Sequence, residues 1–110
     1  MPRSAWLLIA LLLVLAVALP QSGYHLIKKI PIPGDGFWDY LTTDPATDRV
    51  FVSHGTEVDV VDAKKGEVTG KITGLKLVHG IALAREFNHG FISDGGANQV
   101  VVFDMKTLAK

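Results

Sequence analysis

The chain has 110 residues, room for a single domain. Its 11 Lys and Arg balance 11 Asp and Glu, so the formal charge is zero and no basic field exists to draw in nucleic acid or an anionic membrane surface. There is no cysteine, which excludes disulfides, thiolate metal sites, a cysteine nucleophile and a lipid-attachment cysteine together.

Arg3 precedes an uncharged apolar run from Trp6 to Leu19, which Pro20-Gln21-Ser22-Gly23 then breaks. The run is shorter than the roughly 20 residues a membrane-spanning helix needs, and it has the cationic start and apolar core of a secretory signal. Ala16-Val17-Ala18 offers a small-x-small cleavage site after Ala18, and a second cut is available near Gly23. We therefore read residues 1–23 as a signal helix, with a periplasmic or secreted destination and membrane contact only through that signal. Its removal takes away one cation, Arg3, and leaves the charge near zero.

Beyond the leader the chain repeats itself. LTTDPATDRVFVSHG at 41–55 lies over IALAREFNHGFISDG at 81–95, and VDVVDAKKGEV at 58–68 lies over VVVFDMKTLAK at 100–110 after a short insertion near Gly96-Ala97. In chain order, the apolar patterning predicts strands at Tyr40 to Thr43, Val50 to Ser53, Val58 to Val61 and Val68 to Thr73. It predicts them again at Gly80 to Ala84, Phe91 to Ser93 and Val100 to Phe103. Asp44-Pro45-Ala46-Thr47-Asp48, Asp62-Ala63-Lys64-Lys65-Gly66 and Glu86-Phe87-Asn88-His89-Gly90 read as the turns between them. His25 to Ile30 aligns with the fourth strand, Lys29-Ile30 lying over Lys71-Ile72. No stretch after residue 20 keeps a helical period over three turns, so the fold class is all-β. A period of about 40–45 residues is the length of one four-stranded propeller blade.

RVFVSHGTEVDVVDAKKGEV and GFISDGGANQVVVFDMKTLAK resemble the YVTN β-propeller repeat, and with the leader and the opening KKIPIPGDGFWDYL the chain is similar to a YncE-like secreted bacterial propeller. Asp39-Tyr40 departs from the Gly-Ile pair usual in that repeat. The resemblance implies a partial β-propeller of about two four-stranded antiparallel blades. Residues 24–110 would form this incomplete propeller, with 24–31 an outer closing strand, 40–73 blade one and 80–110 an incomplete blade two. Propellers use roughly 4–8 blades and repeat arrays generally need at least three units. The chain is therefore read as a fragment of something longer, with ring assembly of several copies and a free-standing small β domain as the other two readings.

The repeat offset aligns Asp39 with His79 and His54 with Asp94, at what the resemblance makes one mouth of a channel. Trp38 would be an aromatic wall there, and Asn98 lies in the longer loop. Convergent carboxylates and imidazoles bind metals or serve acid–base chemistry, while Asp, Asn and His in such loops also arise from turn chemistry alone. No metal or cofactor is specified by the sequence. Gly34-Asp35-Gly36 lacks the third glycine of a dinucleotide loop, and Asp44 to Asp48 lacks the glycine and terminal glutamate of an EF-hand. The function implied is a non-catalytic propeller scaffold that presents a loop face to a small molecule or protein. The alternative is the start of a lactonase- or oxidoreductase-like propeller enzyme; nucleic acid is not expected as a partner.

Overall fold

The strands expected from the apolar patterning are present in a computed structural model, which describes residues 23–110. They are β1 (Trp38–Asp44), β2 (Arg49–His54), β3 (Glu57–Asp62), β4 (Glu67–Ile72), β5 (Val78–Ala84), β6 (His89–Asp94) and β7 (Gln99–Asp104). Two 3-10 turns, Arg85–Phe87 and Gly95–Ala97, flank β6, and among the described residues there is no α-helix. The signal helix expected at 1–23 falls almost entirely outside the described residues.

β1 to β4 form one antiparallel sheet in the order β1-β2-β3-β4, and β5 to β7 form a second in the order β5-β6-β7. Local chemistry sets each hairpin. Asp44 accepts from the Thr47 hydroxyl at 2.6 Å in the β1–β2 turn, and Asp48 closes that turn at a φ of 54°. Between β2 and β3 a two-residue loop, Gly55-Thr56, places His54 opposite Glu57, with Gly55 at a φ of 56°. Asp62 accepts the Lys65 N–H at 2.8 Å to turn β3 into β4.

The repeated pentapeptide is explained by a repeated bulge. The β1–β2 register slips between Trp38 and Leu41, and the β5–β6 register slips between Val78 and Ile81. In each bulge the serine of the motif supplies what the ladder loses. Ser53 Oγ donates to the Tyr40 carbonyl at 2.8 Å, and Ser93 Oγ accepts the Gly80 N–H at 2.8 Å.

The sheets share one core, in which Phe51, Val58, Val60 and Ile72 meet Val78, Ile81, Ile92, Phe103 and Met105. Phe51 and Phe103 face each other across it with ring centroids 5.6 Å apart. Gly90 lies against the Phe103 ring, where a Cβ would overlap its atoms. Thr42 Oγ1 donates across the gap to the Ile81 carbonyl at 2.7 Å.

This arrangement corrects the expectation of a partial β-propeller. The fold is all-β, but it consists of two separate antiparallel sheets of four and three strands, neither curled nor closed into a blade. The physical reason lies in where the apolar surface goes. Blades in a ring bury both faces, whereas here the second sheet buries the side that faces the first, and Phe91, Val100 and Val102 on the outer side of β6 and β7 stay exposed. Residues 24–31, expected as an outer strand, carry no strand assignment, and Tyr24, Leu26 and Ile27 are exposed.

Candidate metal centre

Strand alternation puts Phe51, Ser53, Val58 and Val60 toward the shared core and sends Val52, His54, Glu57 and Asp59 to the opposite side of the same sheet. On that outer side the register makes two cross-strand pairs, His54 with Glu57 and Asp59 with Lys71. Four ionisable side chains thus collect at one end of β2, β3 and β4. Segment 33–37 lies over this end, and with His54, Glu57 and Lys71 it lines a cleft of about 380 Å³, Asp59 lying buried behind them.

His54 and Asp59 are buried, at 5% and 0% exposure. His54 Nε2 lies 3.1 Å from the Asp35 carbonyl oxygen, which can only accept, so this nitrogen carries a proton. Gly34 allows that approach: it sits at a φ of 126°, and a Cβ there would come within 2.7 Å of His54 Cε1. The Trp38 indole stacks on the imidazole with centroids 4.6 Å apart.

With Nε2 committed, the other ring nitrogen faces anions. His54 Nδ1 is 2.8 Å from Asp59 Oδ2 and 3.6 Å from Glu57 Oε1. A lone pair cannot point at two carboxylates without a cation between them, so the arrangement calls for a proton on Nδ1 or a metal ion in that space. Lys71 supplies part of the compensation, with Nζ 2.6 Å from Glu57 Oε1 and 3.2 Å from Asp59 Oδ1. The Glu57 contact first, and Asp59 second, raise the Lys71 ammonium above the ordinary lysine value. Asp59 Oδ1 nevertheless has no well-directed hydrogen bond, the Lys71 contact being an ion pair of poor alignment.

One donor atom from each of His54, Glu57 and Asp59 lies within 4.8 Å of the others. Ligand bonds of about 2.0–2.2 Å at tetrahedral to octahedral angles place neighbouring donors about 2.8–3.6 Å apart. The 2.8 and 3.6 Å distances at Nδ1 fall at the two ends of that range, so each carboxylate stands from Nδ1 at the spacing of a neighbouring metal ligand. An imidazole that donates its second N–H to a backbone carbonyl is also the usual support for a metal-bound histidine.

The residues singled out from sequence separate into distinct settings. Trp38 and His54 come together as the stacked pair. Asp39 and His79 form another, Oδ2 to Nδ1 at 2.7 Å, both partly exposed and joining β1 to β5. Asp94 is buried in a bracing role: Oδ1 accepts the N–H groups of Lys76 and Leu77, each at 2.9 Å, and Oδ2 accepts from Gln99 at 3.2 Å. The Leu77 N–H, against the opposing effect of burial and with help from Lys76 and Gln99, holds the Asp94 carboxyl below the ordinary aspartate value. Asn98 ends the second 3-10 turn at a φ of 50°. Glu57, Asp59 and Lys71 were not singled out, although a charged residue inside the apolar run Val58-Asp59-Val60-Val61 signals a buried partner.

No family model matches the chain, no curated protein matches it, and no solved structure matches it. The likeness to the YVTN repeat and to YncE-like propellers, drawn from RVFVSHGTEVDVVDAKKGEV, GFISDGGANQVVVFDMKTLAK, the leader and the opening KKIPIPGDGFWDYL, is corrected by the two separate antiparallel sheets. The propeller scaffold and the propeller enzyme inferred from it lose their structural basis as well.

Proposed function

We propose that this domain binds a divalent first-row metal ion through His54 Nδ1, Asp59 and Glu57. The observation that carries the reading is the orientation of His54, one nitrogen held by the Asp35 carbonyl and the other aimed between two carboxylates. One imidazole and two carboxylates form a donor set for Zn²⁺, Mn²⁺, Fe²⁺ or Co²⁺, and the missing thiolate disfavours softer ions. In the bound state Lys71, 39% exposed, leaves Glu57 and turns toward solvent, so the metal replaces one positive charge with two. Three protein ligands leave coordination positions open toward the cleft, where a small molecule with an oxygen donor could join the ion. The export address read from the leader belongs to the same proposal.

Calorimetric titration of the full chain with Zn²⁺ tests it. The expected result is one equivalent bound by the wild type and by His79→Gln, with binding lost in Asp59→Asn and His54→Gln. A folded His54→Gln or Asp59→Asn variant that binds Zn²⁺ as well as the wild type rejects the site. Circular dichroism establishes folding, and a rise in melting temperature on adding Zn²⁺ to the wild type gives an independent readout.

A further inference from the structure

The opposite end of the β1–β2 hairpin carries a cluster of the other sign. Asp44, 2% exposed, lies between two guanidinium groups: Arg49 Nη2 is 3.4 Å from Oδ2 and Arg85 Nη2 is 3.0 Å from Oδ1. Burial by itself would raise the Asp44 carboxyl, but the Thr47 hydroxyl and the charges of Arg85 and Arg49 outweigh it and hold the group below the ordinary aspartate value. Thr47, Arg49, Arg85, Asn88 and Lys106 line a cleft of about 170 Å³ around this carboxylate.

The two arginines are held differently. Arg49 is committed to the fold: Nε donates to Thr47 Oγ1 at 2.9 Å, Nη1 donates to the Met105 carbonyl at 2.6 Å, and the guanidinium lies 5.2 Å over the Phe51 ring. Arg85 has Asp44 as its ion-pair partner among the described residues and is 41% exposed, so most of its five N–H donors are free. Three cations line the cleft against the single carboxylate of Asp44. Asp104 stands beside it but is occupied, taking Asn88 Nδ2 at 2.6 Å and the N–H groups of Lys106 and Thr107 at 2.8 and 2.7 Å. Positive charge remains in excess even when Asp104 is counted. An arginine fork with a positioned second arginine and a nearby lysine is the donor arrangement that grips a tetrahedral oxyanion. The volume falls below the roughly 300 Å³ at which drug-sized pockets begin, which suits a phosphate group and not a whole nucleotide.

We propose that this cleft is an oxyanion site that takes a phosphate group, with Arg85 and Lys106 as the mobile contacts and Arg49 as the fixed one. The site does not depend on the metal centre, since it uses different residues at the other end of the hairpin.

The test is NMR titration of the full chain with inorganic phosphate, with phosphoserine as the arm for an esterified phosphate and acetate as the arm for a carboxylate. Saturable shifts at the amides of Thr47, Arg85 and Lys106 are expected with the phosphates and not with acetate. Arg85→Gln is expected to weaken phosphate binding about tenfold or more, from the loss of charge-assisted hydrogen bonds. Lys106→Gln should weaken it by less, and Lys29→Gln, which does not line the cleft, should leave it unchanged. Absence of saturable shifts overturns the proposal, as does equal weakening by Arg85→Gln and Lys29→Gln. If Arg85→Gln fails to fold, Lys106→Gln decides, and an unchanged affinity in that variant counts against the site.

Discussion

Truncating Phe51 to alanine should weaken both sheets at once, because its ring is the largest side chain that the first sheet contributes to the shared core. Phe51 is fully buried and Phe103 is 1% exposed. A phenylalanine in this position removes about 150–250 Å² from water, worth about 4–6 kcal/mol at roughly 25 cal/mol per Å². Alanine keeps only the first carbon of that side chain, and hydrogen-bonded neighbours on β1 and β3 restrict collapse into the gap, so a loss of about 4 kcal/mol is expected. Against a total stability of about 5–15 kcal/mol for a domain of this size, that is a large fraction. With a urea dependence of about 2 kcal/mol per M, the unfolding midpoint should fall by about 2 M. Phe103→Ala, from the other sheet, should act similarly. The double variant should show a coupling of about 0.5–1.5 kcal/mol, the typical value for a tilted aromatic pair. If the double variant is too unstable to measure, leucine at both positions completes the cycle. Two separate unfolding transitions, or a midpoint that moves by less than about 0.5 M on Phe51→Ala, would refute the single core.

Lys71→Met should tighten Zn²⁺ binding, because it removes the cation that occupies Glu57 and borders Asp59; isothermal titration reads the gain, and weaker binding would argue against competition at Glu57. Gly34→Ala should cost about 1–3 kcal/mol in urea unfolding and lower Zn²⁺ affinity, since both its backbone angle and the approach to His54 exclude a Cβ. Gly90→Ala should destabilise by about 1–3 kcal/mol through overpacking against Phe103, and Phe103→Leu should restore part of the loss. The pH dependence follows from Asp44, Asp94 and Asp104, all held below the ordinary aspartate value, Asp104 first by the Thr107 N–H. Because the unfolded chain binds protons more readily at these groups, their contribution is complete above the unfolded value of about 3.9 and is lost as pH falls through the lower folded values. These three groups should therefore add no slope to the urea midpoint above about pH 5 and should lower it below pH 4. Asp94→Asn should start lower and show a shallower acid limb.

The strands were legible because β2, β3, β6 and β7 combine β-branched residues with turn residues at both ends, and each of these four reaches one or two residues beyond its expected bounds, while β4 stops at Ile72, one residue short of the expected Thr73. The repeat was legible too, and its physical content is the serine-filled bulge, which needs the same residues at the same spacing in both sheets. The packing of the sheets was not. Alternation specifies which face of a strand is apolar, but it does not say whether the opposite face meets another sheet or water, and Val100 and Val102 lie exposed although they belong to a continuous apolar run. His54 was visible as a candidate in the β2–β3 connection. Its partners were hidden because Glu57 and Asp59 belong to what reads as an apolar strand, and because Lys71 reaches them only through the β3–β4 register. The Asp35 carbonyl that orients the ring is a backbone group, and no residue identity announces it.

The most direct test of the metal centre is the ¹⁵N spectrum of the histidine rings in the full chain, recorded with and without one equivalent of Zn²⁺. The His54 Nδ1 resonance should move to a metal-bound position while Nε2 of the same ring keeps its proton and its hydrogen bond to the Asp35 carbonyl. A Zn²⁺-dependent change confined to His79, or no change in either nitrogen of His54, would contradict the metal centre.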